Sequence, residues 1–352
     1  MKTGLSMVFV PLLAALTLAA AHAAAEVGKI RAMSGEVSLL SRGAERWRPA
    51  QRGAPVAEGD RVRTGERGRV MLQFGDGSTL MVGNSSEIEV TRFVVDRRKK
   101  ERTGLFSLLT GKLRAVVAGY FGTSDVRVRT RTSTAGVKGT DFVVMNEGDA
   151  NVLFGTEGEV EVSGDDGGSV VLTGGAMTEN TRGIAPITPV EVERGTALDE
   201  VRETLLAVTD VDAPVEWEQA GRLADIMARW NINYGHYLAD SGRYDGGLRV
   251  FRIAVDMASE PAIKAEAHLA RGTVYSRYLG DRDKAMAEYM TVVNDYPELP
   301  HVETALYSAG LIEMDAGNDA EALELFRRYL RDYPDGRHGE TIKLFIRELE
   351  KR

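Results

Sequence analysis

The sequence predicts a multidomain β + α protein: an all-β domain of many short strands, followed by an all-α solenoid of repeated helix pairs. Through residues 26–183, apolar side chains alternate with other residues at a period of two, and glycine-bearing turns separate the runs. Residues 216–352 instead show helical spacing and a motif that recurs after 37 residues. A chain of 352 residues is long enough for two hydrophobic cores.

Residues 1–25 have the composition of a signal peptide. Lys2 supplies a positive charge, an apolar stretch runs from Leu5 to Ala20, and small-residue A-x-A patterns follow it. We therefore expect cleavage near residues 23–25 and export to the periplasm. The alternative is an uncleaved segment that anchors the chain in the inner membrane. The sequence has no cysteine, which excludes disulfides, thiolate metal sites and a lipid-modified cysteine after the signal.

Alternation and turn chemistry define the β domain from residue 26 to residue 183. Residues 70–74, 126–131 and 159–162 each place apolar side chains on one face and polar ones on the other. The turn Gly75-Asp76-Gly77-Ser78 joins two such runs and is typical of a hairpin. The charged run 96–102 separates two strand candidates, so we expect it to be an exposed loop.

Charge is divided unevenly along the chain. Residues 26–183 contain 23 basic and 21 acidic side chains, whereas residues 184–352 contain 20 and 31. Within the first part, residues 26–131 hold 21 basic and 12 acidic side chains, a balance that suits an anionic polysaccharide or lipid head group. The alternative is that these side chains are solvated on strand faces. The candidate polyanion patch consists of Arg97, Arg98, Lys99, Lys100, Arg102, Arg127, Arg129 and Arg131.

An ordered series of short motifs extends over about 150 residues of the β domain. The motifs are Gly59-Asp60-Arg61-Val62-Arg63-Thr64-Gly65, Asp76-Gly77-Ser78, Leu109-Thr110-Gly111-Lys112-Leu113, Val137-Lys138-Gly139-Thr140-Asp141-Phe142-Val143-Val144, Gly158-Glu159-Val160-Glu161-Val162 and Leu172-Thr173-Gly174-Gly175. This series resembles the FecR domain family over residues of about 27–180. The resemblance implies an extracytoplasmic β domain that meets partners, and no more. The motifs themselves have the character of scaffold motifs, and we expect none of their residues to do chemistry.

Proteins of the FecR type are transmembrane regulators with a cytoplasmic anti-sigma segment before a single membrane span. Here only Met1 to Gly4 precede the apolar stretch. The resemblance therefore does not lead us to expect a cytoplasmic regulatory segment in this chain.

A short helix from Ala197 to Val208 is expected within a linker at residues 184–215. Beyond it, Asn294-Asp295-Tyr296-Pro297 recurs as Arg331-Asp332-Tyr333-Pro334. Within one copy a small residue, a turn glycine, an alanine, an aromatic residue and a proline follow each other at offsets 0, 7, 12, 16 and 24, in the order Gly310, Gly317, Ala322, Phe326 and Pro334. This pattern resembles the tetratricopeptide repeat, and it predicts about 2.5–3 repeats and a capping helix from Thr341 to Lys351.

The first helix of each repeat is expected to face a groove that binds a protein or peptide partner. The candidate groove residues are Arg229, His236, Asp240, Glu266, Thr273, Arg277, Tyr307 and Asp315. The alternative is that several of them are simply exposed.

No arrangement of residues in the sequence predicts a catalytic, cofactor-binding or metal-binding site. The five histidines are not at metal-ligand spacing, and no nucleophile, phosphate-loop or calcium-loop motif occurs. We therefore predict no catalytic, cofactor-binding or metal-binding residues and no enzymatic activity. Export, an acidic total and the lack of basic–aromatic interleaving argue against a nucleic-acid partner.

These observations lead to one principal hypothesis and two alternatives. The principal hypothesis is a non-enzymatic periplasmic scaffold whose helical repeats bind a protein or peptide. One alternative is a membrane-anchored signalling component related to FecR-type regulators. The other is a module whose β domain binds envelope polysaccharide or lipid head groups.

Overall fold

The computed structural model describes residues 25–119 and 122–351. The predicted signal peptide, apart from its last residue, lies outside the described residues. Within the described ranges, no helix combines the length and the apolar character that a membrane span requires.

Seventeen strands form the described part of the β domain. They are β1 (Glu26–Ser34), β2 (Val37–Leu40), β3 (Arg48–Pro49), β4 (Pro55–Ala57), β5 (Arg61–Thr64), β6 (Arg69–Phe74), β7 (Thr79–Val82), β8 (Glu87–Asp96), β9 (Glu101–Val116), β10 (Thr123–Arg129), β11 (Ser133–Val137), β12 (Asp141–Glu147), β13 (Ala150–Glu157), β14 (Glu159–Gly164), β15 (Ser169–Thr173), β16 (Ala176–Thr181) and β17 (Val190–Glu191).

The strands form two sheets that share the 16-residue strand β9. The first sheet has the order β4-β1-β6-β7-β9-β12-β13-β16-β17, and the second has the order β3-β2-β5-β8-β9-β10-β11-β14-β15. The N-terminal part of β9 pairs with β8 and β10, whereas residues 111–116 pair with β12. One long strand therefore ties the two layers together.

The domain's main core lies between the two sheets. Val126 and Val128 are buried in it, whereas Arg127 and Arg129 on the same strand are exposed, as the period-two pattern predicts. At one end of the core the rings of Phe74, Phe93 and Phe106 form a cluster with centroids 4.8–5.8 Å apart.

The second part of the chain is helical. Its helices are α1 (Ala197–Thr209), α2 (Trp217–Gly221), α3 (Leu223–Asp240), α4 (Tyr244–Met257), α5 (Pro261–Thr273), α6 (Arg282–Asp295), α7 (His301–Ala316), α8 (Asp319–Asp332) and α9 (Gly339–Leu349), and a π-helical segment (Val274–Leu279) extends α5. Helices α3 to α8 form three successive pairs, and α9 packs on α8. The structure confirms the predicted order of an all-β part followed by helical repeats.

A glycine in the first helix of each pair lies against an aromatic ring of the second helix. The three glycine–aromatic pairs are Gly235 with Phe251, Gly272 with Tyr289 and Gly310 with Phe326. A Cβ atom at Gly235 would come within 2.5 Å of the Phe251 ring, which is fully buried and has no room to move. Close packing of the two helices therefore requires glycine at this repeat position.

The π-helical segment accommodates one additional residue in the middle repeat. Gly310 and Ala322 are 12 residues apart in the last repeat, but the equivalent Gly272 and Ala285 are 13 apart. The segment Val274–Leu279 lies between them and absorbs the insertion within the helix.

The two parts of the chain share a second apolar core. Val143, Met145 and Phe154 point out of the first sheet and pack against Leu205 of α1 and Met227 of α3. The segment expected to be a linker thus contributes α1 to this shared core.

Arg69 of β6 reinforces the contact at the end of α1. Its guanidinium donates hydrogen bonds to the carbonyl oxygens of Asp210 and Ala213, the latter at 2.8 Å, and lies 5.5 Å from the centroid of the Trp217 ring. A cation at a helix C-terminus interacts favourably with the helix dipole, so Arg69 stabilises α1 on the sheet.

A polar pair is buried between the two parts. Asn231 of α3 donates to Glu179 of β16 at 3.1 Å, and both residues are fully buried. The remaining oxygens, Glu179 Oε1 and Asn231 Oδ1, have no hydrogen-bond partner among the described residues. Burial raises the pKa of Glu179 to about 8.

We predict that Gly235→Ala destabilises the protein by about 1–3 kcal/mol, because the new methyl group would overlap the Phe251 ring. Helix propensity alone would give the opposite sign. Urea denaturation measures the difference. Gly221→Ala is the control, because open space surrounds that position; equal free energies of unfolding for the two variants would contradict the prediction.

We predict that Glu179→Gln removes a pH dependence of stability. The folded-state pKa of Glu179 lies above its unfolded value, so its stabilising contribution is complete below the unfolded pKa and is lost as the pH rises toward about 8. The loss amounts to roughly 1 kcal/mol per pH unit between those values. The variant should match the wild type near pH 5 and exceed its stability at pH 8 in urea titrations. Exposed Glu321, changed to Gln, is the control, and a wild type as stable at pH 8 as the Gln variant would refute the idea.

Candidate interaction surface

The eight predicted groove residues lie on first helices of the repeats, but they do not form one free surface. Arg229, His236, Asp240, Thr273, Arg277 and Asp315 are exposed, whereas Glu266 and Tyr307 are half-buried. Several already have partners within the chain. Arg229 forms an ion pair with Glu260 at 3.2 Å, and the Tyr307 ring stacks on His338 with centroids 3.9 Å apart.

Aromatic side chains cluster on α3, at the start of α4 and on the π-helical segment. The Trp230 and Tyr234 rings stack at 4.8 Å, and Tyr234 and Tyr237 at 6.2 Å. Tyr244, the first residue of α4, stacks on Tyr278 of the π-helical segment with ring centroids 5.0 Å apart. We call these five residues the aromatic surface.

Part of this aromatic surface faces solvent. Tyr237 is 59% exposed and Tyr278 37% exposed, and the neighbouring Leu279 is 43% exposed. Arg243 lies 5.4 Å from the centroid of the Tyr237 ring, and Tyr278 donates a long hydrogen bond of 3.5 Å to Asp240. Exposed Tyr and Trp side chains are the residues that most often dominate binding energy at protein interfaces.

The sequence analysis included Asp240 and Arg277 but missed the aromatic residues beside them. The available signal was the density of aromatic residues between Trp230 and Tyr244. For Tyr278 the signal was the additional residue of the middle repeat, since the π-helical segment carries Tyr278 and Leu279.

The basic residues predicted to form a polyanion patch lie in two separate places. Residues 97–100 form a turn, and the Lys100 carbonyl accepts a hydrogen bond from Thr123 at the start of β10. Arg127 and Arg129 lie four and six residues beyond Thr123 on that strand. At a rise of about 3.3 Å per residue, they are about 13 and 20 Å from Thr123. Arg131 follows beyond the end of β10 and forms an ion pair with Asp149 at 3.2 Å.

Arg102 has to be removed from this patch because it is buried. Its guanidinium forms an ion pair with Asp76 at 2.8 Å, and side-chain exposure is 1% for Arg102 and 0% for Asp76. Arg102 also donates to Ser124 at 2.7 Å, and Ser78 donates to Asp76 at the same distance. The Asp76-Gly77-Ser78 motif therefore anchors β9 and β10 in addition to forming a turn.

Among the described residues, no group of three or more His, Asp or Glu side chains is arranged to hold a metal ion. His268 instead contacts Glu288 at 2.6 Å, and Glu288 also pairs with Arg271 at 2.9 Å.

Two family models match the chain. A model described as FecR protein matches residues 60–161, and a model described as tetratricopeptide repeat matches residues 266–298 and 304–336. Helices α3 and α4 precede the matched repeats. No curated protein matches the chain.

Solved structures show limited similarity. Two crystal structures of a proposed anti-sigma factor from Parabacteroides distasonis have TM-scores of 0.34 at 15% and 17% identity, and each alignment covers 42% of this chain. The chain spans less than two thirds of those structures, 63% and 62% of their lengths. A structure described as a cell surface anchoring domain is 31% identical over 18% of this chain and 84% of its own, with a TM-score of 0.18.

We predict that Arg102→Met destabilises the β domain by about 3–5 kcal/mol, because it removes one member of a buried ion pair. Arg98→Met, at an exposed position of the neighbouring turn, should change stability by less than about 0.5 kcal/mol. Urea denaturation followed by tryptophan fluorescence distinguishes the two variants. Similar behaviour of both would mean that the Arg102 pair does not support the fold.

Proposed function

We propose that this chain, in which a FecR domain is joined to tetratricopeptide repeats, is a periplasmic scaffold that binds a partner protein through the aromatic surface of its helical part. Both matched families are regulatory or interaction modules rather than enzymes. Tetratricopeptide repeats generally mediate contacts between proteins.

The exposure of Tyr237 and Tyr278 is the observation that carries this proposal. When a partner removes large aromatic side chains on a helical surface from water, the free energy of the complex falls. Tyr and Trp are also enriched among the few residues that supply most of the energy of an interface. The five residues of the aromatic surface come from two successive repeats, so a partner would contact both repeats at once.

The shared core between sheet and helices supports a scaffold role. Because α1 and α3 pack on the first sheet, a partner held by the helices occupies a fixed position relative to the FecR domain. If the FecR domain binds a second envelope component, the two sites act together with a high effective concentration.

A second candidate is a membrane-anchored signalling component, and the FecR match over residues 60–161 favours it equally. The two candidates differ in the state of the N-terminus. A scaffold released into the periplasm begins near residues 23–25, whereas an anchored component retains its apolar N-terminal segment.

We predict that a photo-crosslinking amino acid in place of Tyr237 captures a defined envelope protein in living cells. The same amino acid at Arg282, an exposed position of α6 outside the aromatic surface, is the control and should not capture it.

Fractionation and mass spectrometry of the N-terminus, made on the same cells, decide between the scaffold and the anchored component. With the partner identified, Tyr237→Ala combined with Tyr278→Ala should weaken binding at least about tenfold. Equal capture from positions 237 and 282 would contradict the proposed site.

A further inference from the structure

A groove runs along the junction between the β domain and the helices, on which no prediction from the sequence was made. It consists of two adjoining open clefts of about 520 and 530 Å³ that share Asp245 and Arg249 as lining residues. One wall comes from residues 182–190 of the β domain, and the other comes from helices α3, α4 and α5. We call it the junction groove.

One end of the junction groove is apolar and aromatic. Ile187 and Pro189 line it from the β domain, and Tyr234, Tyr244 and Leu279 line it from the helices. The β-domain wall is fixed in place, because Ile187 donates through its backbone to the Glu179 carbonyl at 3.0 Å and accepts from Thr178 at 2.7 Å. This end suits an apolar side chain.

The other end is lined by four arginines. Arg182 comes from the β domain, and Arg249, Arg252 and Arg271 come from the helices, with Asp245 as the one acidic lining residue. Three of these arginines have carboxylate partners, in the pairs Arg182–Asp149 at 3.0 Å, Arg252–Asp256 at 2.8 Å and Arg271–Glu288 at 2.9 Å.

One arginine at this basic end has no carboxylate partner among the described residues. Arg249 is exposed in the cleft and forms no ion pair with any described residue. Guanidinium groups in such a position bind carboxylates through strong charge-assisted hydrogen bonds. A carboxylate of an acidic ligand would therefore pair with Arg249, which forms no ion pair with any described residue.

The length of the junction groove matches a short extended peptide. Tyr244 lines the apolar end and Arg252 the basic end, and they lie eight residues apart on α4. At about 1.5 Å per helical residue this separation is about 12 Å, which corresponds to roughly four residues of an extended chain. A small anion would occupy the basic end only.

We propose that the junction groove binds an extended acidic segment of a partner protein, with an apolar side chain beside Tyr244 and a carboxylate beside Arg249. This inference rests on the proposed function, since it describes how a partner protein is recognised. Neither half of the chain forms the groove alone, because Arg182 and residues 187–190 supply the wall opposite the helices.

A library of random ten-residue peptides displayed on phage, panned on the full-length mature protein, tests the proposal. The recovered sequences should combine Asp or Glu with a nearby apolar residue. Synthetic versions should bind Arg249→Glu at least about tenfold more weakly than wild type in fluorescence polarisation at physiological salt. They should bind Leu279→Glu more weakly as well, whereas Arg282→Glu, an exposed charge reversal outside the groove, should bind within about twofold of wild type. Circular dichroism of each variant verifies the fold.

Recovery of no acidic sequence, or of sequences that bind Arg249→Glu as well as wild type, would overturn the proposal. Binding of inorganic phosphate alone in isothermal titration calorimetry, with no peptide recovered, would identify a free-anion site and would overturn it too. The proposed function is judged separately, because Tyr237 does not line the groove. Capture from Tyr237 without an Arg249-dependent peptide would leave the scaffold proposal in place. The reverse result would remove the exposed part of the aromatic surface, Tyr237 and Tyr278, as a binding site but would leave the groove.

Discussion

The apolar contact between the first sheet and helices α1, α3 and α4 is the constraint on which the rest of this structure depends. Strands β12 and β13 are buried on both faces, with Phe142 and Val144 directed into the sandwich and Val143, Met145 and Phe154 into the helices. Apolar burial of this kind is non-directional and strong, whereas the polar contacts around it are directional. The apolar contact thus brings the two parts together. Arg69, Glu179 and the wall of the junction groove determine their relative orientation.

The sequence could predict elements whose pattern is local. Alternating Val and Arg in residues 126–131 determine which face of β10 is buried, and the offsets from Gly310 to Pro334 determine a helix pair. The continuous apolar run Phe142–Met145 carries a different signal, because a strand buried on both faces loses its alternation. What covers its second face could not be read locally, since Leu205 and Met227 lie more than fifty residues further along the chain.

The candidate sites were harder to predict than the strands and helices. A binding site needs exposed side chains, and residue type alone does not determine whether a side chain is exposed. Arg98 and Arg102 belong to one charged run, yet Arg98 is exposed and Arg102 is buried against Asp76, which lies 26 residues away. The same holds among the aromatic residues, since Tyr237 is largely exposed whereas Tyr329 is fully buried. In both cases a contact with a residue distant in sequence determines whether the side chain is exposed. A count of residue types cannot distinguish the exposed residues from the buried ones.

Docking of the two parts and ligand binding in the proposed junction groove would be linked in this arrangement. Asp256 accepts a hydrogen bond from Thr181 of β16 at 2.6 Å and also pairs with Arg252, which lines the junction groove. A ligand that requires both walls binds only the docked form and stabilises it by mass action. By reciprocity, anything that weakens docking, such as ionisation of the buried Glu179, also weakens binding in the groove. The interface between the two parts is therefore the core that joins them and, if the groove binds the proposed ligand, also the element that would control the affinity of that binding.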